Sequence, residues 1–269
     1  MKKIIRTNYP LALVMAAGVF AFTAVLVLTS GPVRASETDD RIESSFKKTY
    51  VYKTYLKNEH IKISSKDGVV TLKGSVANET HKPMAEDVAE ALPGVTSVDN
   101  LIIIKGDQPA ENSDTWLVMK VKSALLFHRN VSATGTEVDL KDGNVTLKGE
   151  AASEAQKELT TEYAKDVDGV KSVKNEMTIA TTPPKPDQAL GDKIDDASIT
   201  AQVKTSLLSH HSTSVLNTKV TTTDGVVTVG GTAKNDAEKA LVTKLVTDIN
   251  GVQSVVNNMT VVATVSSNN

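Results

Sequence analysis

The alternation of apolar and polar residues occurs three times along this chain, with the copies offset by 75 and 157 residues and no gap between equivalent positions. Each copy opens with apolar residues four positions apart, which is the spacing of a helix. Two segments with an apolar residue at every second position follow, then a second helical stretch, and each copy closes on a third alternating segment. The pattern therefore predicts three small modules, each with the element order α-β-β-α-β.

The predicted core consists of the apolar positions of these segments, and we expect one small core in each module. The first helices contribute Ile42, Phe46 and Tyr50, then Leu117, Val121 and Leu125, then Ile199, Val203 and Leu207. The second helices contribute Met84, Val88 and Leu92, then Leu159, Tyr163 and Val167, then Leu241, Leu245 and Ile249. The strands contribute Ile63, Val70, Leu72, Ile102 and Ile104, then Val138, Val145, Leu147, Met177 and Ile179, then Val220, Val227, Val229, Met259 and Val261.

Glycines occur at the same places in every copy. An Asp-Gly pair joins the first two alternating segments and predicts a tight hairpin, because such turns need a positive φ. A second glycine, six residues on, is expected to end the second strand and to let a helix pass close to the backbone. A third glycine, 26 residues on, is expected to end the second helix. These nine turn glycines are Gly68, Gly74, Gly94, Gly143, Gly149, Gly169, Gly225, Gly231 and Gly251.

Capping residues mark the start of the second helix in two of the copies. Ser153 with Gln156, and Asn235 with Glu238, have the spacing of a capping box. In the first copy Pro83 removes a hydrogen-bond donor, so we expect that helix to start late or to kink.

The order of elements predicts the topology of each sheet. Because the second helix links the second and third strands, a right-handed crossover makes those two strands parallel. The predicted fold class is α+β, with three tandem αββαβ modules that each have a three-stranded mixed sheet and two helices on one face. The other sheet face stays uncovered within a module. In the first copy this face carries Val69, Leu101 and Ile103, and we expect it to pack on another module, whereas in the second copy it is polar.

The first 35 residues have the layout of a secretory signal. They hold four positive charges, no acidic residue and an apolar run from Pro10 to Leu28, and Val33 with Ala35 fits the small-residue cleavage pattern. Cleavage there makes Ser36 the mature N-terminus. The alternative is an uncleaved single-pass anchor in the inner membrane, since about 20 apolar residues span a bilayer. Both alternatives predict that the modules lie in the periplasm.

The repeats and the segments between them predict the domain boundaries. We predict a signal peptide or anchor at 1–35, modules at 37–105, 114–180 and 195–264, linkers at 106–113 and 181–194, and a tail at 265–269. The second linker contains three prolines and should be stiff.

Composition narrows the classes of function. The chain has no cysteine, which excludes disulfides, thiolate metal sites and a cysteine nucleophile, and export without cysteine indicates a bacterial envelope. Without the first 35 residues, which hold four of the 30 lysines and arginines, 26 basic residues remain against 32 acidic ones. An exported, mildly acidic chain is not expected to bind nucleic acid. The five histidines lack metal-ligand spacing, and no phosphate-binding loop or nucleophile elbow is present, so we predict a non-enzyme without cofactor or metal.

The glycine-punctuated blocks resemble a known family. Asp-Gly-Val-Val-Thr-Leu-Lys-Gly at 67–74, Asp-Gly-Asn-Val-Thr-Leu-Lys-Gly at 142–149 and Asp-Gly-Val-Val-Thr-Val-Gly-Gly at 224–231 are each followed by Gly-Val-x-Ser-Val. In all three copies these features resemble the BON domain, named for bacterial osmotically inducible and nodulation proteins. The resemblance implies an exported αββαβ module associated with phospholipid binding and with protection of the envelope in osmotic stress. This chain has a third copy where a similar periplasmic member has two, and it lacks the cysteine of the lipoprotein members.

Residues found in only one copy are the candidates for function. The first helix of the second copy carries Trp116, Met119 and Phe127 beside its core positions, together with Lys120. Tryptophan, methionine and lysine suit the boundary between lipid tails and head groups. The alternative is that these residues pack against a neighbouring module, since exposed apolar patches mark partner surfaces of either kind. Similar family members meet phospholipid through this helix, and this favours lipid.

A second candidate region gathers tyrosines among lysines near the end of the first helix. Lys53 and Tyr55 belong to it, and lysine charge with tyrosine rings suits anionic head groups. The alternative is a solvated helix end. The full set is Lys47, Lys48, Tyr50, Tyr52, Lys53, Tyr55 and Lys57.

These observations predict a periplasmic adaptor that contacts anionic phospholipid, or a membrane surface, and protects the envelope under osmotic stress. The alternative is a protein-binding, holdase-like stress factor whose partner is an envelope protein or an unfolded chain. An enzyme ranks third.

Overall fold

The computed structural model describes residues 32–106, 109–181, 193–213 and 218–262. Residues 1–31 of the predicted signal segment, most of the second linker and the C-terminal tail lie outside these residues, whereas the predicted cleavage site at Val33 and Ala35 lies within the first helix. Within the described ranges, no helix has both the length and the apolar character needed to cross a membrane.

Each module has the predicted order of elements. Module 1 consists of α1 (Pro32–Lys48), a π-helical turn (Tyr52–Leu56), β1 (His60–Lys66), β2 (Val69–Val76), α2 (His81–Glu90) and β3 (Ser97–Ile104). Module 2 consists of α3 (Asp114–Leu126), β4 (Thr136–Lys141), β5 (Asn144–Ala151), α4 (Glu154–Lys165), β6 (Ser172–Asn175) and β7 (Thr178–Ile179). Module 3 consists of α5 (Asp196–Ser209), β8 (Lys219–Thr223), β9 (Val226–Gly230), β10 (Thr232–Ala233), α6 (Asp236–Thr247), β11 (Ser254–Asn257) and β12 (Thr260–Val261).

The sheets have the predicted mixed topology. In module 1 the strand order is β1-β2-β3, with β1 and β2 antiparallel and β2 and β3 parallel. Modules 2 and 3 repeat this arrangement, and their third strands are split into two short parallel segments. The α+β fold class and the three tandem modules are therefore confirmed.

An aspartate of the first helix holds the hairpin turn in every module. The carboxylate of Asp114 accepts the backbone N–H groups of Asp142, at 2.9 Å, and of Gly143, at 3.3 Å. The turn residues have the positive φ values that the Asp-Gly sequence predicts, 52° at Asp142 and 82° at Gly143. Asp39 and Asp196 make the same two bonds in modules 1 and 3. This aspartate joins the first helix to the hairpin, and sequence reasoning did not identify it.

The glycine that follows the hairpin approaches a strand, not a helix as predicted. Gly74 has a φ of 117°, and a Cβ there would lie 1.8 Å from the carbonyl oxygen of His60 on β1. In module 2, a Cβ at Gly149 would lie 2.1 Å from the carbonyl oxygen of Gly135. A side chain at these positions would collide with the backbone of the paired strand. The glycine is therefore required by the hairpin itself.

The third glycine of each copy lies beyond the second helix and does not end it. Helix α2 ends at Glu90, whereas Gly94 lies in the following turn with a φ of 94°. A Cβ at the equivalent Gly169 would lie 2.7 Å from Leu117 Cδ2 on the first helix of that module. This glycine lets the turn pack closely against the first helix.

The prediction that Pro83 delays its helix is confirmed. Helix α4 begins at Glu154, whose equivalent in module 1 is Glu79, but α2 begins two residues later at His81. Pro83 thus lies in the first turn, where a helix needs no amide donor. In module 2 the Ser153 hydroxyl caps the helix by accepting the N–H of Gln156.

The predicted core positions are buried except at three kinds of position, of which the first is Leu159 and Leu241 on the second helices, both only half-buried. The buried residues of the three modules also form one connected cluster, where one core in each module was expected. The second predicted core residue of the last strand is exposed in every module, at 38% for Ile104, 41% for Ile179 and 39% for Val261. Tyr50 is half-buried, because α1 stops at Lys48 and the chain turns. Val51 is buried in its place.

Helix α5 lies at the centre of the molecule and contacts both other modules. It packs on α2 of module 1 and on α3 of module 2. The amide N–H groups of Tyr50 and Val51 donate to Asp195 Oδ2, at 2.7 Å, and to Ser198 Oγ, at 3.0 Å. Lys204 Nζ lies 2.7 Å from Asp87 Oδ1 of α2, and burial raises the pKa of Asp87 to about 6 against the effect of this lysine.

Modules 2 and 3 meet through a nearly two-fold interface. The backbone N–H of Arg129 donates to the carbonyl of Asp248 at 2.8 Å, and the equivalent His211 donates to the carbonyl of Asp166 at 2.8 Å. Isolated bridges join His128 to Ile249 and His210 to Val167, which are also equivalent pairs. The same surface of each module therefore faces its copy in the other.

Candidate binding surface

Three of the predicted contact residues lie together on α3. Trp116, Met119 and Lys120 are each half-buried, and Lys120 Nζ lies 4.9 Å from the centre of the Trp116 ring. This distance is that of a cation–π contact, which orders the lysine beside the ring. The Ser113 hydroxyl caps the helix by accepting the N–H of Trp116 at 3.3 Å. The first two turns of α3 therefore present an aromatic ring and a cation side by side.

An open groove of about 540 Å³ runs beside the later turns of α3. Met119 and Lys122 of α3 form one wall, β4 forms the opposite wall, and Asn78 of module 1 lies at one end. Leu126, Ala133 and Val138 add apolar surface, and Glu137 and Asp139 add acidic groups at the rim. The groove is thus amphipathic and bounded by two modules.

Phe127 does not belong to this surface, so its prediction as a lipid contact is wrong. Its side chain is fully buried, and its ring packs edge-on against Tyr55 of module 1 with the centroids 5.6 Å apart. Tyr55 in turn packs against Tyr50 at 6.2 Å, and burial raises the pKa of Tyr55. These rings fill the contact between modules 1 and 2, which was the alternative interpretation for the α3 residues; for Tyr55 the expected alternative was a solvated helix end, and the ring is packed instead. Lys53 remains exposed.

In module 3, the face of α5 that is equivalent to the Trp116 face of α3 is buried against the other modules. Trp116, Met119 and Lys120 correspond to Ser198, Ala201 and Gln202, all with 0% exposure in the contact with the neighbouring modules. On α3 the C-terminal end of the same face is covered, at Phe127, while the part nearer the N-terminus, with Trp116 and Met119, stays partly open. In module 3 this face is a docking surface, and in module 2 it is only partly occupied.

A buried histidine pair at the interface of modules 2 and 3 was not identified from the sequence. His128 Nε2 lies 3.3 Å from His210 Nε2, and Ser206 Oγ lies 3.2 Å from His128 Nε2. His210 Nδ1 lies 2.9 Å from Asp166 Oδ2, and His128 Nδ1 lies 3.3 Å from Asp248 Oδ2. Each module thus supplies one histidine and one aspartate to a reciprocal pair.

Burial sets the electrostatics of this cluster. Burial lowers the pKa of His128, although the nearby Asp248 carboxylate opposes the shift. Burial also acts to raise the pKa of Asp166, but hydrogen bonds from His210 and Ser212 hold it below its ordinary value. Tyr163 stacks on His128 and donates to Asp248 Oδ2 at 2.6 Å. The sequence held one signal for the pair, because His128 and His210 are equivalent positions and so are Asp166 and Asp248.

Among the described residues, none from another module covers the uncovered sheet face of module 1, contrary to the prediction. Leu101 is 57% exposed, Ile103 is 60% exposed and Val69 is 38% exposed. The modules instead pack through helices and through the loops that follow them. This face is therefore an apolar surface open to solvent.

Comparisons with known proteins agree with the repeated architecture. A family model described as the BON domain matches residues 38–106, 113–181 and 195–263. The chain is similar to Osmotically-inducible protein Y of Escherichia coli (strain K12), with 32% identity over 146 residues, 54% of this chain and 71% of that protein. It is also similar to the outer membrane lipoprotein DolP of Haemophilus influenzae, with 32% identity over 111 residues, 40% of this chain and 57% of that protein.

Among solved structures, the chain is similar to the C-terminal domain of CdsD, described as a structural protein of the type III secretion system of Chlamydia trachomatis. The identity is 18%, the match covers 82% of this chain and 96% of that one, and the TM-score is 0.21.

Proposed function

The chain belongs to the BON domain family, and on that premise we propose that it is a non-enzymatic binding protein of the bacterial periplasm that associates with anionic phospholipid. Its role in this proposal is to protect the envelope in osmotic stress. Two relatives, an osmotically inducible protein and an outer membrane lipoprotein, support the envelope setting.

The partly open face of α3 is the observation that carries the proposal. A tryptophan ring, a thioether and a lysine project there together, and the core of module 2 does not use them. Tryptophan favours the interface between head groups and acyl chains, and each lysine near an anionic leaflet contributes about 1 kcal/mol. The cation–π contact of Lys120 with Trp116 keeps the charge next to the ring that would enter the interface.

Vesicle flotation tests this proposal. We expect the full chain to float with phosphatidylglycerol-containing vesicles and to float poorly with phosphatidylcholine alone, because the lysine term needs anionic lipid. Trp116→Ala with Met119→Ala should weaken binding about tenfold, since two apolar side chains no longer enter the interface. Lys120→Glu should also weaken vesicle binding. Its effect should be larger at low salt, where the charges are less screened.

The matched control is Lys165→Glu, which makes the same change of charge on the exposed side of α4 in the same module. It should float like the parent. Undiminished flotation of the Trp116/Met119 double variant would refute the α3 contact.

A protein partner is the second candidate, and the comparison with α5 favours it. The face of α5 equivalent to the open face of α3 is buried against helices of neighbouring modules, so this face is built to receive a helix. In this case the periplasmic protein would act as an adaptor or holdase for another chain. Suppression of the aggregation of a reduced client protein, lost in the Trp116/Met119 double variant and unaffected by added vesicles, would support this candidate over lipid.

A further inference from the structure

The uncovered sheet face of module 1 combines exposed apolar side chains with an excess of positive charge, three lysines against the single carboxylate of Asp99. Lys62 on β1 lies directly opposite Lys73 on β2, and Lys73 is in register with Leu101 on β3. Ile103 lies two residues beyond Leu101 on the same face. One row across the sheet therefore reads lysine, lysine, leucine.

The like charges at Lys62 and Lys73 are unfavourable for the isolated protein. Directly opposed like charges destabilise an antiparallel pair, and an anion above the face would remove that repulsion. A third lysine, Lys66, is in register with the exposed Val69 at the other end of the hairpin. With the exposed Asp99 between Ser97 and Leu101 on β3, the face carries three cations, one anion and three exposed apolar side chains, and it keeps a net positive charge.

The other two modules show that folding does not require this combination. In module 2 the positions of Lys62 and Leu101 are Glu137 and Glu176, and the face is neutralised by ion pairs such as Lys174 with Glu176 at 2.7 Å. In module 3 the positions of Lys73 and Leu101 are Gly230 and Asn258. Since the same scaffold folds with each of these sets, the basic and apolar face of module 1 serves something other than folding.

We propose that this sheet face is a second lipid-binding surface, which lies on an anionic bilayer with Leu101 and Ile103 at the acyl boundary and Lys62, Lys66 and Lys73 among the head groups. A bilayer matches both properties at once, because it places a sheet of negative charge directly above an apolar layer. The inference rests on the proposed phospholipid association and adds a contact that is independent of α3. Two contacts on one chain raise its avidity for a surface.

The test exchanges residues between modules, so that each new residue is one that the scaffold already carries. Leu101→Glu with Ile103→Thr gives module 1 the residues of module 2, Glu176 and Thr178. We expect partitioning onto phosphatidylglycerol vesicles to fall about tenfold. The thermal melting transition should remain that of the parent, because both replaced side chains are exposed.

The control is Val226→Thr with Val256→Thr on the uncovered face of module 3. It removes exposed apolar side chains of similar size that have no opposed lysine pair, and it should leave binding unchanged.

The outcomes separate this inference from the proposed function. If the Trp116/Met119 variant loses binding while the Leu101/Ile103 variant binds like the parent, the α3 contact stands and the sheet contact is overturned. If the parent itself does not bind anionic vesicles, the proposed function fails and the inference fails with it. If the Leu101/Ile103 variant abolishes a dimer in sedimentation velocity but leaves vesicle binding unchanged, the face joins copies of the chain and the lipid assignment is overturned.

Discussion

At the scale of single residues, we expect the buried His128 at the interface of modules 2 and 3 to make the stability of the protein depend on pH. His128 contacts Ser206 on α5 and His210 directly after it. It also contacts Tyr163 on α4 and Asp248, which follows α6. Its pKa in the folded protein is below the ordinary value of 6.5. Around that value the unfolded chain therefore takes up a proton that the folded chain does not.

We predict that the free energy of unfolding falls as the pH drops from 7 through 6.5 towards the lower pKa of folded His128. The sign follows from linkage, since stability rises with pH wherever the unfolded state binds more protons, with a slope of at most about 1.4 kcal/mol per pH unit for one group. Urea denaturation at several pH values measures this slope. His128→Gln should flatten it, and an equally steep slope in that variant would exclude His128 as the titrating group.

Exposure also separates the predicted contact residues from one another. Sequence reasoning grouped Trp116 with Phe127 because both are apolar and outside the core stripe of α3. The structure buries Phe127 against Tyr55 and leaves Trp116 half-buried. The periodicity of one helix holds no information on where a neighbouring module packs. The sequence pattern therefore could not predict that Phe127 is buried and Trp116 is not.

At the scale of elements, the fold followed from the sequence because each signal is local. Asp-Gly turns, capping residues and alternating strands depend on neighbours a few residues away, and the three copies confirm one another. Long-range side-chain bonds were missed even where the residues recur in all copies. Asn100, Asn175 and Asn257 each accept the N–H two residues on and donate to a carbonyl of the second helix, which ties the last strand to that helix.

The aspartate that holds the hairpin is the element-scale contact most open to test. Asp114→Ala removes the acceptor for the N–H groups of Asp142 and Gly143, and it also removes a negative charge from the first turn of α3. We predict a loss of about 1–2 kcal/mol in the stability of module 2. Chemical denaturation of the full chain measures it. Asp168→Ala, at an exposed acid in the same module, should change stability little, and equal losses in both variants would contradict the role given to Asp114.

At the scale of the whole molecule, the arrangement of the modules decides which surfaces remain available. The first helix of module 3 is enclosed by the other two modules, and the first helix of module 2 is only partly covered. The sheet of module 1 faces solvent, against the prediction, because the modules meet through helices and loops and not through sheets. Which of these surfaces is covered depends on the fit between modules that are far apart in the sequence. The pattern within each repeat cannot predict that fit.

The emission of Trp116, the only tryptophan in the chain, tests the central claim most directly. Its half-buried position on α3 makes the emission of the full chain a report on this one surface. Titration with phosphatidylglycerol vesicles should shift the emission maximum to shorter wavelength and reduce quenching by acrylamide, because the ring leaves water for the membrane interface. Phosphatidylcholine vesicles should have little effect. An emission spectrum and a quenching constant that stay unchanged at saturating anionic vesicles would contradict the account.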